Sequence, residues 1–334
     1  MEAIELQQQF FSHLKALIPP HLSLVDELAD LLSLSYDSVY RRIRGEQPLA
    51  LHELRQICSH YHISIDQVLQ LHNETVVFHA PAVNQDAIIF LDYLKGLLQQ
   101  LKYFNSFKEK EMLYLCKDLP LWQFYLYPDL AAFKTFFWSK TLLNKSEYGQ
   151  KHFSLSGDSF DEYFRIGQEL NKEYNQIPSI ELWNRESINS TLSQIEYYHD
   201  SGMFQTEEDF ERVVDSFTKT LDHLELQAEM GVKFLPGSGD LGHRSTIKFF
   251  INEVVLGSNT ILAEIDKKKL SFISYNVFSY LSTKDPRFNE STFRAFHTLA
   301  SRSTLISSAG EKERNKFFNA LRSKVAGLKN IRVA

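Results

Sequence analysis

Cysteine is almost missing from this chain: two in 334 residues, Cys58 and Cys116. That excludes a disulfide framework and suits a reducing compartment, so a cytoplasmic protein is expected. Long apolar runs are missing as well. The longest uncharged stretch, Leu270 to Thr283, is too short and too polar to span a bilayer. The N-terminus lacks a basic segment followed by an apolar one, so neither a signal peptide nor a membrane association is expected. Basic excess is lacking: the formal net charge is −6, which excludes a non-specific coat on nucleic acid. No 34-residue self-similarity marks a tetratricopeptide array. Catalytic signatures are thin. Gly237-Ser-Gly-Asp-Leu-Gly242 looks like a phosphate loop, but no strand is expected before it and no Lys-Ser/Thr follows. No nucleophile elbow occurs. His199-Asp200 and the set His223, Glu225, Glu229 and His243 are the polar groupings worth testing, and His223 and Glu225, two apart, do not share a helix face. The chain therefore reads as a non-enzyme with no cofactor and no metal.

What is present concentrates first between Ser23 and Leu69. Ser23 suits an N-cap, with Asp26 three residues on. Leu24, Leu28, Leu31 and Leu32 form one apolar stripe at helical spacing, and Ala29 permits a close crossing. Ser33-Leu34-Ser35 breaks this helix, and Ser35 can cap the next. In that second helix Val39 and Ile43, four apart, define the buried side. With 3.6 residues per turn, Asp37, Arg41 and Arg44 fall on the opposite face, flanked by Ser38 and Tyr40, with Tyr36 at the exposed start. Gly45 stops the helix. Pro48 opens a further amphipathic segment carrying Leu51, Leu54, Ile57, Cys58 and Tyr61, and Ser64 to Leu69 starts a last short helix.

These residues resemble the lambda-repressor-like (XRE) helix-turn-helix family over roughly residues 10–72. The matching positions are Leu28-Ala29, Leu32-Ser33-Leu34-Ser35, Val39, Arg41, Gly45, Pro48 and Ile63 to Leu69. The resemblance implies base contacts from Ser35, Tyr36, Asp37, Tyr40 and Arg41 and phosphate contacts near Arg44, with Ser38 and Arg42 completing the candidate DNA-binding set. Arginine can bond guanine bidentately in the major groove, and tyrosine and serine supply further donors. Asp37 either accepts from a cytosine or pairs with Arg41 along the helix. Two positions depart from the family. Ser33 stands where the turn usually has glycine and needs a positive φ or a variant turn. Arg42 stands where a small or apolar residue is usual and falls at the edge of the helix packing.

Residues 1–72 carry five basic residues (Lys15, Arg41, Arg42, Arg44 and Arg55) against nine acids, a net of −4. Positive charge is thus confined to the second helix, and weak non-specific binding follows. Six of the twelve histidines lie here: His13, His21, His52, His60, His62 and His72. His60-x-His62 is not a helical metal-ligand pair and has no cysteine partners, so solvated histidines are the reading.

Downstream, 26 phenylalanines and 15 tyrosines support a sizeable core. The fold class expected is mainly α: a five-helix domain at 1–72, a linker at 73–85, a helical domain at 86–235 for dimerisation or sensing, and at 236–334 helices with a small antiparallel β meander near 246–275. Ile88, Leu91, Leu94, Leu97, Leu98 and Leu101 mark a helix, and further helices are expected from Glu109 to Lys117 and at 158–174, 181–199 and 206–230. Trp122, Phe124, Tyr125, Tyr127, Phe133, Phe136, Phe137 and Trp138 form an aromatic block that is either core or the wall of a ligand cavity. Strands are expected at Thr246 to Val255, Thr260 to Ile265 and Leu270 to Tyr275. Helices follow at Asn276 to Leu281, Glu290 to Arg302 and Glu311 to Leu328. Residues 310–334 carry a net +5, either a solvated helix face or a supplementary contact to a DNA backbone.

Together these features point to a sequence-specific DNA-binding transcriptional regulator. Double-stranded DNA and a second copy of the chain are its expected partners, and a small-molecule or peptide effector is a third that the C-terminal region admits. The alternative is a protein–protein adaptor whose helix-turn-helix does not bind DNA, favoured by the acidic net charge and opposed by the arginine face.

Overall fold

The computed structural model describes residues 3–18, 22–61, 63–66, 75–80, 90–157, 160–238, 245–254, 256–276 and 279–329. It divides into two compact units, Met1–Val77 and Phe78–Ala334.

The first unit is helical: α1 Ala3–Leu17, α2 Leu24–Leu32, α3 Tyr36–Arg44 and α4 Leu51–Tyr61. Its core joins Phe10, Phe11 and Leu14 of α1 to Leu28 and Ala29 of α2, Val39 of α3 and Ile57 of α4. Ile43 packs against this cluster but is only partly buried. The fifth helix expected at 64–69 lies largely outside the described residues, as do most of the expected linker and Ile88.

The second unit is α/β. Its helices are α5 Phe90–Asn105, α6 Pro128–Phe137, α7 Asp161–Tyr174, α8 Asn189–Asp200, α9 Glu207–Met230, α10 Pro286–Ser301 and α11 Glu311–Leu328. Its strands are β1 Lys110–Leu115, β2 Ser179–Trp183, β3 Ile247–Ile251, β4 Thr260–Ile265, β5 Lys268–Asn276, β6 Ser279–Thr283 and β7 Thr304–Leu305. They form one mixed sheet in the order β6-β5-β4-β1-β2-β3-β7, with β1, β2 and β3 parallel and the remaining pairs antiparallel. Parallel neighbours need long crossovers. Here α6 and α7 lie between β1 and β2, and α8 and α9 between β2 and β3. One face of the sheet packs Met112, Tyr114, Trp183, Ile247 and Phe249 against the crossover helices, α5 and α11. The other packs Leu113, Ile180, Leu182 and Leu262 against Phe293, Phe296 and Ala300 of α10.

This overturns the expected fold class of mainly α with a small meander. The β4–β5 hairpin forms as expected, but β3 does not precede it in space, because β1 and β2 stand between β3 and β4. Strand β1 occupies the segment expected as the helix Glu109 to Lys117, β2 the start of the helix expected at 181–199, and β6 the expected helix Asn276 to Leu281. Residues 86–235 and 236–334 therefore share a sheet. His79, in the expected linker, pairs with Ser282 at the β6 edge. The aromatic block fills the core: all but Tyr127 are buried.

One polar cluster is sealed inside. The Glu181 carboxylate accepts from Trp183 Nε1 at 2.8 Å and from the Tyr174 hydroxyl, with Cys116 Sγ at 3.9 Å. Lys233 donates to the Ile177 carbonyl, and its Nζ lies 3.6 Å from the Tyr174 ring centroid. Burial raises the Glu181 pKa and lowers that of Lys233 to about 7.

Candidate nucleic-acid interface

Each end of the α2–α3 pair is set by a short polar side chain. Ser23 accepts from the Asp26 N–H at 3.4 Å and Ser35 from the Ser38 N–H at 3.3 Å, satisfying N–H groups that no helical carbonyl reaches. Between them Ser33 takes the left-handed conformation, φ 53° and ψ 46°. The turn thus keeps the geometry that glycine usually supplies, at some cost for a side chain with a Cβ. At the far end of α3, Gly45 has φ 79°, and a Cβ there would stand 2.7 Å from Ile4 Cγ2. Two α1 glutamines finish the cap: Gln7 Nε2 donates to the carbonyls of Arg42 (2.7 Å) and Gln47 (2.8 Å), and Gln8 Nε2 to that of Arg44 (2.9 Å).

The arginines separate into two roles. Arg42 points inward. Its Nε and Nη2 donate to Glu53 at 3.0 and 2.7 Å, its Nη1 donates to the Ser38 carbonyl at 3.1 Å, and both side chains are buried. Glu53 also accepts from the Ala50 N–H at 2.9 Å, pinning the start of α4. Burial works to raise the Glu53 pKa, but the Arg42 and Ala50 hydrogen bonds and the Arg42 charge prevail and hold it below its ordinary value. Arg42 is therefore a brace between α3 and α4. Its inclusion in the DNA-binding set is corrected: its donors face Glu53 and a backbone carbonyl, not solvent.

Arg41 and Arg44 face outward with Ser35, Tyr36, Asp37 and Tyr40, all exposed. Tyr36, Tyr40 and Arg44 recur at four-residue intervals, and Asp37 and Arg41 form the adjacent row. Ser38 is half-buried, bonded to Ser35 through both its N–H and its hydroxyl. No Asp37–Arg41 ion pair is present among the described residues. Arg44 pairs with Glu46 at 3.0 Å, an exposed contact that a phosphate can displace at little cost. The face offers tyrosine hydroxyls and two guanidinium groups on a helix anchored at both ends, the donor set for base edges and phosphates.

Residues 18–95 match the BetR domain, a DNA-binding domain of helix-turn-helix type. Its range takes in α2, the turn, α3 and α4. It spans 78 of the 334 residues, so most of the second unit lies outside the BetR domain. Neither the curated proteins nor the solved structures gave a match to this chain.

The other polar groupings singled out in the sequence do not converge. His199 stacks on Phe210, with Asp200 and Glu207 at 3.6 and 3.5 Å; His223 Nε2 lies 2.8 Å from the Phe234 carbonyl; Glu225 binds Arg322; His243 is outside the described residues. Among the described residues no group of three or more His, Cys, Asp or Glu side chains could hold a metal, and no helix is long and apolar enough to cross a membrane. The basic residues of α11 and its C-cap Lys329 are largely engaged within the unit. Arg314 is buried on the carbonyls of Ile306 and Ala309, Arg322 bonds Asp222 and Glu225, Lys329 bonds Asp215, and Lys324 bonds the Arg185 carbonyl and Asn189. Among the described residues that leaves Lys312 and Lys316 facing solvent without an ion pair; Arg332 lies outside the described residues.

Proposed function

We propose that this chain is a sequence-specific DNA-binding transcriptional regulator that docks as lambda-repressor-like (XRE) proteins do, with α3 in the major groove. One observation carries the reading: Tyr36, Asp37, Tyr40, Arg41 and Arg44 stand exposed on one face of a helix whose opposite side is fixed by Val39 and by the Arg42–Glu53 bridge. Arg41 is the base-reading residue and Arg44 a phosphate contact. The protein acts by binding and not by catalysis, as a homodimer, since one recognition helix reaches a single half-site and a net charge of −4 over residues 1–72 gives little non-specific hold. The second unit supplies the dimer surface and the response to an effector. The buried aromatic block does not anchor that surface, so contact falls to other residues of the unit.

Titration of labelled duplexes at several salt concentrations tests the proposal. Arg41→Ala should cost about 1–3 kcal/mol on a specific site and relax the base preference there. Arg44→Ala should weaken binding to all sequences and lower the salt slope by about one. The acidic charge favours a second reading, a protein–protein adaptor, and that reading prevails if neither substitution changes DNA affinity in a folded protein.

A further inference from the structure

The second unit holds a pocket of about 350 Å³ at one end of the sheet. The register shows why its walls meet. Leu115, last in β1, lies opposite Thr260, first in β4; Thr260 lies opposite Ile273 near the end of β5; and Ser274 lies opposite Tyr280 at the start of β6. The ends of four strands therefore meet at the carboxyl end of β1, where α/β sheets commonly receive ligands. The start of α8, with Thr191 and Gln194, closes one side. The volume matches the lower end of small-molecule pockets and equals about ten water volumes.

Three charged residues line this space, Lys117, Asp118 and Lys134. Lys134 is buried among rings, its Nζ 4.2 Å from the Phe124 centroid and 4.7 Å from that of Trp138. Its hydrogen bonds go to neutral acceptors, Gln194 Oε1 at 2.5 Å and Thr191 Oγ1 at 3.4 Å. Asp118, in the loop after β1, is half-buried and lines the same pocket. Neither forms an ion pair among the described residues, while Lys117, also in the lining, has Glu186 at 3.6 Å. Burial, the largest effect on each, lowers the Lys134 pKa to about 7 and raises that of Asp118, while the opposite charges act against it: Asp118 on Lys134, and Lys134 and Lys117 on Asp118. A buried lysine and a carboxylate that share a pocket beyond ion-pair contact, each only partly compensated by the other, are complementary to a ligand carrying both opposite charges. Tyr93, Tyr280 and Leu121 add apolar wall.

We propose that this pocket binds a small zwitterion of the amino-acid class, with its carboxylate on Lys134, its ammonium on Asp118 and its apolar side chain against the aromatic wall. The sealed Glu181–Lys233 cluster offers no such site, because nothing reaches it from solvent.

Calorimetric titration of the full chain tests this. The probes are L-phenylalanine and L-leucine, with phenylacetate and phenethylamine as single-charge controls. At least one amino acid should bind saturably at one site per chain. Each control should bind at least about tenfold more weakly, as should each of the variants Lys134→Met and Asp118→Asn, the loss typical of a hydrogen bond to a charged group. Asp118→Asn preserves size and shape and reads the site even if Lys134→Met does not fold. Absence of saturable binding by both amino acids up to about 10 mM, unchanged affinity in Asp118→Asn, or a control binding as tightly as its amino acid would each overturn the proposal. No DNA is present, so the outcome is independent of the DNA-binding reading.

Discussion

Arg42 and Glu53 show how much one buried pair decides. Removing one partner of such a pair strands the other charge out of water, at about 3–5 kcal/mol. Arg42→Ala should therefore unfold much of the first unit in chemical denaturation, whereas Arg41→Ala, its exposed neighbour, should leave stability within about 0.5 kcal/mol; equal stability of the two variants would refute the brace. The pH dependence has a fixed sign. The Glu53 pKa is depressed in the folded state, so its stabilisation is present above the ordinary carboxylate value and is lost as pH falls through the folded pKa. The arginine run itself was plain in the sequence, but its division was only half legible. Arg42 lies three residues after Val39 and so belongs to the inner face, a signal available from spacing. Its partner, eleven residues away on another helix, and the capping glutamines of α1 left no local pattern to find.

At the scale of elements, the turn before α3 is the sharpest test. Ser33 holds a positive φ without being glycine, which costs about 1–2 kcal/mol in the left-handed region, partly offset because glycine is freer in the unfolded chain. Ser33→Gly should raise the stability of the first unit by about 0.5–1 kcal/mol, and a fall in melting temperature would show that the turn is not strained. Helices α2, α3 and α9 were legible because a capping side chain and apolar spacing agree, and α11, which has no side-chain cap, from its apolar spacing alone. The β4–β5 hairpin was legible for a related reason: Asp266 and Lys267 both take positive φ, as the two-residue turn of a twisted hairpin requires. Strands β1 and β2 were not legible. Lys110-Glu-Met-Leu-Tyr-Leu115 is built largely from good helix formers, and tertiary context overrides that preference. Ser179-Ile-Glu-Leu-Trp183 is buried on both faces, so it shows no alternation, and Glu181 conceals its depth.

At the scale of the whole molecule, two buried lysines tie the second unit to pH. Lys134 and Lys233 are both held to about 7 by burial. Between pH 7 and about 9 these two lysines bind protons in the unfolded chain that they do not bind in the folded one, so they make stability rise with pH; at higher pH the buried Cys116 thiol and tyrosines, pushed up by burial, act the other way. Lys134→Met should flatten the rise, read as denaturation midpoints at pH 7 and 9, and an unchanged slope would show that Lys134 keeps its proton. Neither lysine is signalled by sequence alone, because each is an ordinary charged lysine until the fold buries it.

The central claim is that the outer face of α3 reads DNA. Selection of bound duplexes from a random library by the full-length protein, followed by sequencing, tests it most directly. The account predicts an inverted repeat whose half-sites lie about 10 base pairs apart, or a multiple of that, with Arg41→Ala losing preference at one position in each half-site. Enrichment of no motif by the wild-type protein, or the same motif at the same affinity from Arg41→Ala, would contradict it.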